Sequence, residues 1–455
     1  MTAATDYFGS RWSAPLYVGY FVLTVLGAVT TSAAPTAVAV ALLLIYLLIE
    51  TPRVPLVVRV VGLLLCVTGL GAGSLAGDLI AVAFEGMERG LQFLVLFAAV
   101  ATLRQPALTS PSMRAVGEHI VSQPPGRRFL ALELGSHIFG SVLNLAGMQL
   151  VGSAAERQTD PELRRRMALA VMRGFSAAPC WSPLFVSTAV VLSVSPGLTW
   201  TSLAPMGLFA GVVMLATAWS VDRLSRGSPP PAVAAEPVSR PSRPWLGVAA
   251  MFLSLIVPVI ALVELSHVGI AIAIGLVGPV VAFLWLRMLT PDSNRSARAY
   301  RTLRRELWLT MPALRAEALL FVGASLLGGG LARLLAGTEI GIPVPTGDAA
   351  ILGILLVNVT LGLAGLHPVI PVIVIGQAMT AEQLGLTPAM IAVSMMASWG
   401  PATIVSPLSG TALFVGRLMG LPVSTVAWRW NALYGFGVAT VVGLALVLAR
   451  HVVGW

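Results

Sequence analysis

The sequence predicts an all-α polytopic membrane protein made of two inverted-topology repeats, each carrying a re-entrant helical hairpin. Three observations carry that prediction. Hydrophobic residues make up 57% of the 455 and charged residues only 10%, whereas soluble proteins run to about 25% charged. Long apolar runs recur from end to end. Two interrupted motifs, RGFSAAPCWSPL at 173–184 and ASWGPATIVSPL at 397–408, match across the halves. This composition excludes a soluble enzyme and a disordered chain. It also excludes an outer-membrane barrel, whose strands alternate polar and apolar, unlike 39–48.

The first apolar segment, 14–33, follows Arg11 and runs into Ser32-Ala33-Ala34, the order of a secretory leader. Pro35 and a second apolar segment follow at once, so 1–34 is read as an uncleaved extra helix. Repeat one, 35–221, holds segments at 35–49, 54–73, 87–103, 129–152, 167–198 and 201–220. Repeat two, 244–455, holds 244–264, 267–288, 308–336, 348–364, 366–380, 388–419 and 425–449. A crossing needs about 20 residues. The stretches 167–198 and 388–419 exceed that, and Pro and Ser interrupt both near the middle. They are read as the hairpins, because a bilayer tolerates broken backbone only where it lines a cavity.

All 28 basic residues are Arg, and the net charge is +9. Most sit in loops between apolar runs. That is the positive-inside pattern of a membrane protein and not a nucleic-acid-binding stripe. The Pro-, Ser- and Arg-rich stretch 222–243 is read as a solvated cytoplasmic linker, and 287–305 as a second basic cytoplasmic loop. Counting crossings from Arg11 also puts the basic loop 104–128 inside. One loop conflicts: 156–166 carries four Arg yet counts to the outside. The two cysteines, Cys66 and Cys180, have neither CxxC nor zinc spacing and read as buried thiols.

At an offset of 224, Met172 falls on Met396, Ala178 on Ala402, Ser182-Pro183-Leu184 on Ser406-Pro407-Leu408, and Ser187 on Thr411. At an offset of 230, Gly135-Ser136-His137 falls on Gly365-Leu366-His367. The charge-derived topology gives the halves opposite orientation, the architecture of many secondary transporters.

Broken membrane helices free backbone N–H and C=O groups, and their ends carry partial charge. The first tip supplies Ser176, Ser182 and Ser187. The second supplies Ser398, Thr403, Ser406, Ser409 and Thr411. Each hydroxyl alone reads equally as helix–helix glue; the clusters together read as a substrate or ion site. Asn144 and Gln377 add amides at corresponding depths. Arg417, deep in an apolar stretch, suits an anion, while Arg173 continues a basic loop and snorkelling explains it equally. Glu133 and His137, spaced i, i+4, share a helix face, and His367 is the repeat mate of His137. These three are proton-coupling candidates. A metal site lacks a third ligand, and no cofactor is expected beyond Na⁺ or H⁺ as coupling ion. The sequon at Asn358 lies in an apolar helix and is set aside. No Walker A, GxSxG or HExxH motif occurs.

The pair SAAPCWSPL and GPATIVSPLSGTA, each in a broken hairpin followed by a helix, resembles the ion transporter superfamily. That group includes divalent-anion/sodium symporters and the large membrane subunit of tripartite ATP-independent periplasmic transporters. The divalent-anion members carry Ser-Asn-Thr at the tips; this chain does not. The resemblance implies an elevator mechanism and a homodimer. The expected function is secondary transport, not catalysis: a small, anionic organic solute crosses a bacterial inner membrane with Na⁺ or H⁺. Two alternatives are a cation/proton antiporter and an integral-membrane enzyme on lipid intermediates. A membrane subunit that needs a partner to deliver its substrate is a third. The partners expected are solute and lipid, not nucleic acid.

Overall fold

Among the described residues of the computed structural model, ten helices are long and apolar enough to cross a membrane. The structure describes residues 12–156, 158–225, 244–266, 268–290, 293–336 and 344–455. Arg11 and the linker beyond residue 225 lie outside the described residues. Among the described residues every regular element is helical. Helix is the answer to lipid, because each backbone N–H and C=O is satisfied within its own segment. The chain is an all-α, multi-pass membrane protein.

The helices gather into two compact units that are interleaved along the chain. Unit one is 1–106, 253–342 and 373–380; unit two is 107–252, 343–372 and 381–455. Each unit draws helices from both sequence halves.

In unit one, helix Leu56–Leu75 packs along Arg315–Ala336. The contact is as close as backbones come: a Cβ on Gly330 would overlap the Gly69 carbonyl oxygen. Lipid tails are as apolar as leucine, so such helices associate through close small-residue packing. Helices Ser13–Thr30 and Ala33–Glu50 pair beside them. They bury Tyr17, Tyr20 and Tyr46 in one cluster, with ring centroids 4.6–5.8 Å apart. The Tyr17 hydroxyl donates to the Leu94 carbonyl (2.7 Å) and that of Tyr46 to the Met311 carbonyl (3.0 Å). Buried Glu50 pairs with Arg315 at 3.2 Å and accepts from Ser13.

Unit two corrects the expected position of the hairpins. The segment 129–152 is not one crossing. Helix Pro125–Leu143 ends at Asn144, whose φ of 54° is one that few residues besides glycine adopt. Helix Leu145–Glu156 then folds back, so that a Cβ on Gly147 would overlap the Phe139 carbonyl. Both ends of this hairpin therefore lie on one face, and 158–166 joins the basic loop 104–128. That removes the conflict between Arg164, Arg165 and Arg166 and the charge rule.

The stretch 348–384 makes a similar excursion. Helix Asp348–Leu363 leads to a turn at 364–368, and the chain is back beside its start when Leu384 accepts from the Gly347 N–H (2.8 Å).

The stretches 167–198 and 388–419, expected to be hairpins, are interrupted helices that run across the unit, as the helices that follow them show. The first is Pro161–Ser176, a 3₁₀ turn Ala178–Cys180, an irregular stretch, and Val186–Ser193. Helix Trp200–Leu224 then returns beside it, because Arg166 pairs with Asp222 through two bonds of 2.5 and 2.8 Å. That return requires 161–193 to run across the unit. The second is Pro388–Val405 and Gly410–Met419, and Trp430–Val453 returns so that Arg450 meets the Gly385 carbonyl and Asp348. Proline and serine break these helices as expected, but a break in mid-crossing is not a reversal.

Candidate functional site

The two interrupted helices run antiparallel in unit two. Arg164, early in the first, donates to the Leu418 carbonyl at the end of the second (2.8 Å). One turn before the first break, a Cβ on Gly400 of the second helix would overlap the Ser176 carbonyl oxygen. Glycine is what allows this crossing.

The turns of both excursions reach these breaks. Ser182, in the first break, donates to the Ser141 carbonyl just before the Asn144 turn. Leu145, just after that turn, lies against Gly410 of the second break. Gly365, in the 364–368 turn, lies against Leu408 of the second break. Two reversals and two helix breaks therefore converge in one place. Wherever a chain reverses or breaks, backbone groups lose their helical partners and must find others.

The hydroxyls expected at the tips are buried there, and most satisfy this freed backbone. Ser187 donates to the Pro179 carbonyl (2.8 Å), Thr188 to Ser182 (2.6 Å) and Ser409 to Thr403 (2.5 Å). Ser409 also caps the following helix by accepting from the Ala412 N–H (3.1 Å). Ser176 and Thr403 bond back to carbonyls three residues earlier, at 2.7 and 2.8 Å. Ser406 and Thr411 are buried with no side-chain bond among the described residues. Asn144, half-buried at its turn, likewise makes none.

Two expected residues lie elsewhere. Gln377 belongs to unit one, where it accepts from Arg89 (3.1 Å). Arg417 is exposed, because it sits on the last turn of Gly410–Met419, just before the Gly420 cap. The buried cation is Arg173, 7% exposed, whose guanidinium lies 3.8 Å from the centre of the Tyr434 ring. Such a desolvated contact is worth about 2 kcal/mol. Its Nε has no hydrogen-bond partner.

Beside it, helices Pro125–Leu143 and Pro161–Ser176 touch backbone to backbone, and a Cβ on Gly174 would overlap the Glu133 carbonyl. Glu133 is fully buried and neither carboxyl oxygen has a hydrogen-bond partner. A bare charge without partners is among the most expensive groups to bury. His137, one turn on, accepts from the Trp181 indole N–H (3.2 Å), and its Nδ1 is unpartnered. His367 lies edge-on to Trp399, with ring centroids 5.7 Å apart, and its Nδ1 accepts from the Val369 N–H (3.2 Å). No group of three potential metal ligands occurs among the described residues.

The amides of two other helices were missed by sequence reasoning. Asn358, in the set-aside sequon, donates to Ser398 (2.6 Å), and Asn431 donates to the Val426 carbonyl (2.8 Å). Each keeps a buried, unpartnered Oδ1. The usable signal was an amide inside an apolar run, which lipid does not tolerate without a partner.

No family model matches the chain, and no curated protein matches it. Among solved structures it is similar to the YdaH transporter of Alcanivorax borkumensis, described as having an unusual topology. That match has 14% identity and a TM-score of 0.46, and covers 79% of this chain and 85% of the other. It is also similar to MtrF of Neisseria gonorrhoeae, described as illuminating a class of antimetabolite efflux pumps. Here identity is 14% and the TM-score 0.37, with 98% and 96% of the two chains covered. At these TM-scores neither likeness defines a shared fold.

Proposed function

We propose that the protein is a secondary transporter of a small organic anion, coupled to protons, with its solute site in unit two. The observation that carries this reading is the convergence of two chain reversals on two antiparallel helix breaks around Ser182, Ser141, Leu145 and Gly410. Broken backbone is tolerated within a membrane where it is buried in protein or lines a cavity, and the buried Ser406 and Thr411 hydroxyls, which make no side-chain bond among the described residues, are left to meet a solute. The antiparallel sense of the two breaks supports descent from an inverted repeat, so that similar halves exchange conformations around one site. Arg173, buried and partly unpartnered, supplies the positive charge an anion needs.

Protons are favoured over Na⁺ by Glu133. A sodium site surrounds its ion with several oxygens, whereas a carboxyl without a hydrogen-bond partner takes up a proton alone. A proton taken up by Glu133 removes the buried charge without any other ligand. The antiporter alternative uses the same carboxyl without an organic solute.

A thermal-shift screen of carboxylates, sulfonates and amino acids on the purified protein identifies the solute, and proteoliposomes then measure its uptake. Ser182→Trp and Ser406→Trp fill the breaks and are expected to reduce uptake at least tenfold with the protein still folded. Normal uptake in both refutes the site. Glu133→Gln is expected to flatten the pH dependence of uptake; an unchanged profile removes the proton role. Proton exchange for a metal cation with no anion uptake selects the antiporter.

A further inference from the structure

Unit one holds a polar cavity that the transport reading does not use. It has a volume of about 460 Å³ and lies between helices Ser13–Thr30, Ala33–Glu50, Leu79–Thr102 and Ile270–Leu289. Glu88, Gln92, Thr24, Ser32, Thr36 and Phe84 line it. Glu88 sits nine residues inside its helix, about 13 Å along the axis. It makes no ion pair or hydrogen bond among the described residues, nor do the side chains of Gln92, Ser32 and Thr36. The adjacent cation is committed elsewhere: Arg89 bonds Glu85 (3.4 Å) and Gln377 (3.1 Å). No Arg or His lines the cavity.

Glu88 is half-buried, and a partly desolvated carboxylate without a partner is costly. Here a carboxylate, an amide oxygen and hydroxyl oxygens line one cavity with no cation among the described residues that line it. The volume is that of a small-molecule pocket, about 300–1,000 Å³, far more than a bare metal ion fills. The exposed ring of Phe84 offers a face on which a cation is also held.

We propose that this cavity binds an organic ammonium group, with Glu88 as its counter-ion. The Gln92 amide and the Ser32 and Thr36 hydroxyls accept its remaining N–H bonds. The ammonium comes either from a free amine or from the ethanolamine headgroup of a lipid. This site is independent of the solute site in unit two.

The test uses the full chain in nanodiscs of phosphatidylglycerol, titrated with ethanolamine and followed by thermal unfolding. Ethanolamine is expected to raise the melting temperature, whereas NaCl at equal ionic strength and ethylene glycol are not. In Glu88→Gln the half-saturating concentration is expected to rise at least tenfold. Phosphatidylethanolamine in the nanodisc distinguishes the sources. If it stabilises the wild type but not Glu88→Gln and abolishes the ethanolamine effect, the lipid is the occupant. If the ethanolamine effect persists, a free amine is. Equal titration of wild type and Glu88→Gln, or an equal effect of NaCl, overturns the proposal. Should Glu88→Gln not fold, Gln92→Leu replaces it with the same expected loss.

Discussion

At the scale of single residues the crossing of the two interrupted helices depends on Gly400. Any side chain there meets the Ser176 carbonyl, which belongs to backbone and cannot rotate away. Gly400→Ala is therefore expected to destabilise the protein by about 1–3 kcal/mol. The fall in melting temperature reads this, with Gly437→Ala, inside a helix and in open space, as the control that does not lower it. The breaks at Ser182-Pro183 and Ser406-Pro407 were legible in the sequence, because Ser-Pro in a long apolar run marks one. The choice between Arg417 and Arg173 was not. Flanking hydropathy made Arg417 look deep, but depth depends on where a helix ends. Arg173 looked like an extension of a basic loop, and only the packing of its helix against Tyr434 buries it.

At the scale of elements the sequence located every interruption of the two long stretches but misread what an interruption does. Pro183 and Pro407 mark places where a crossing changes to extended backbone and continues. The true hairpin, 125–156, reverses at Asn144 without proline, and a single backbone angle makes the turn. Nothing in a hydropathy profile distinguishes that from a straight helix; the pair of basic loops flanking the segment was the available clue. Asn144→Gly relieves the left-handed strain and is expected to stabilise the fold by about 1 kcal/mol. Uptake separates the two roles of this residue. A more stable protein with reduced uptake assigns the amide to the solute, whereas stability gained with full uptake leaves Asn144 as a turn residue alone.

At the scale of the whole molecule the division into repeats along the chain is not the division into compact units. The expected repeats divide the chain near its middle, whereas the units record which helices share a core, and those come from both sequence halves. The close packing of Gly69 on Gly330 lies wholly within unit one. Gly330→Val is thus expected to raise hydrogen exchange in 56–75, 79–102 and 315–336 while protection of 388–405 in unit two stays unchanged. A uniform rise would mean that the chain opens as a single cooperative body. Cys180 sits fully buried in the 3₁₀ turn of the first break, and Cys66 is half-buried in unit one. These are the chain's only two thiols. The polypeptide thus carries its own gauge of local opening: after Cys66→Ser, the alkylation rate of the remaining sulfur counts how often that turn admits water, with no new thiol introduced.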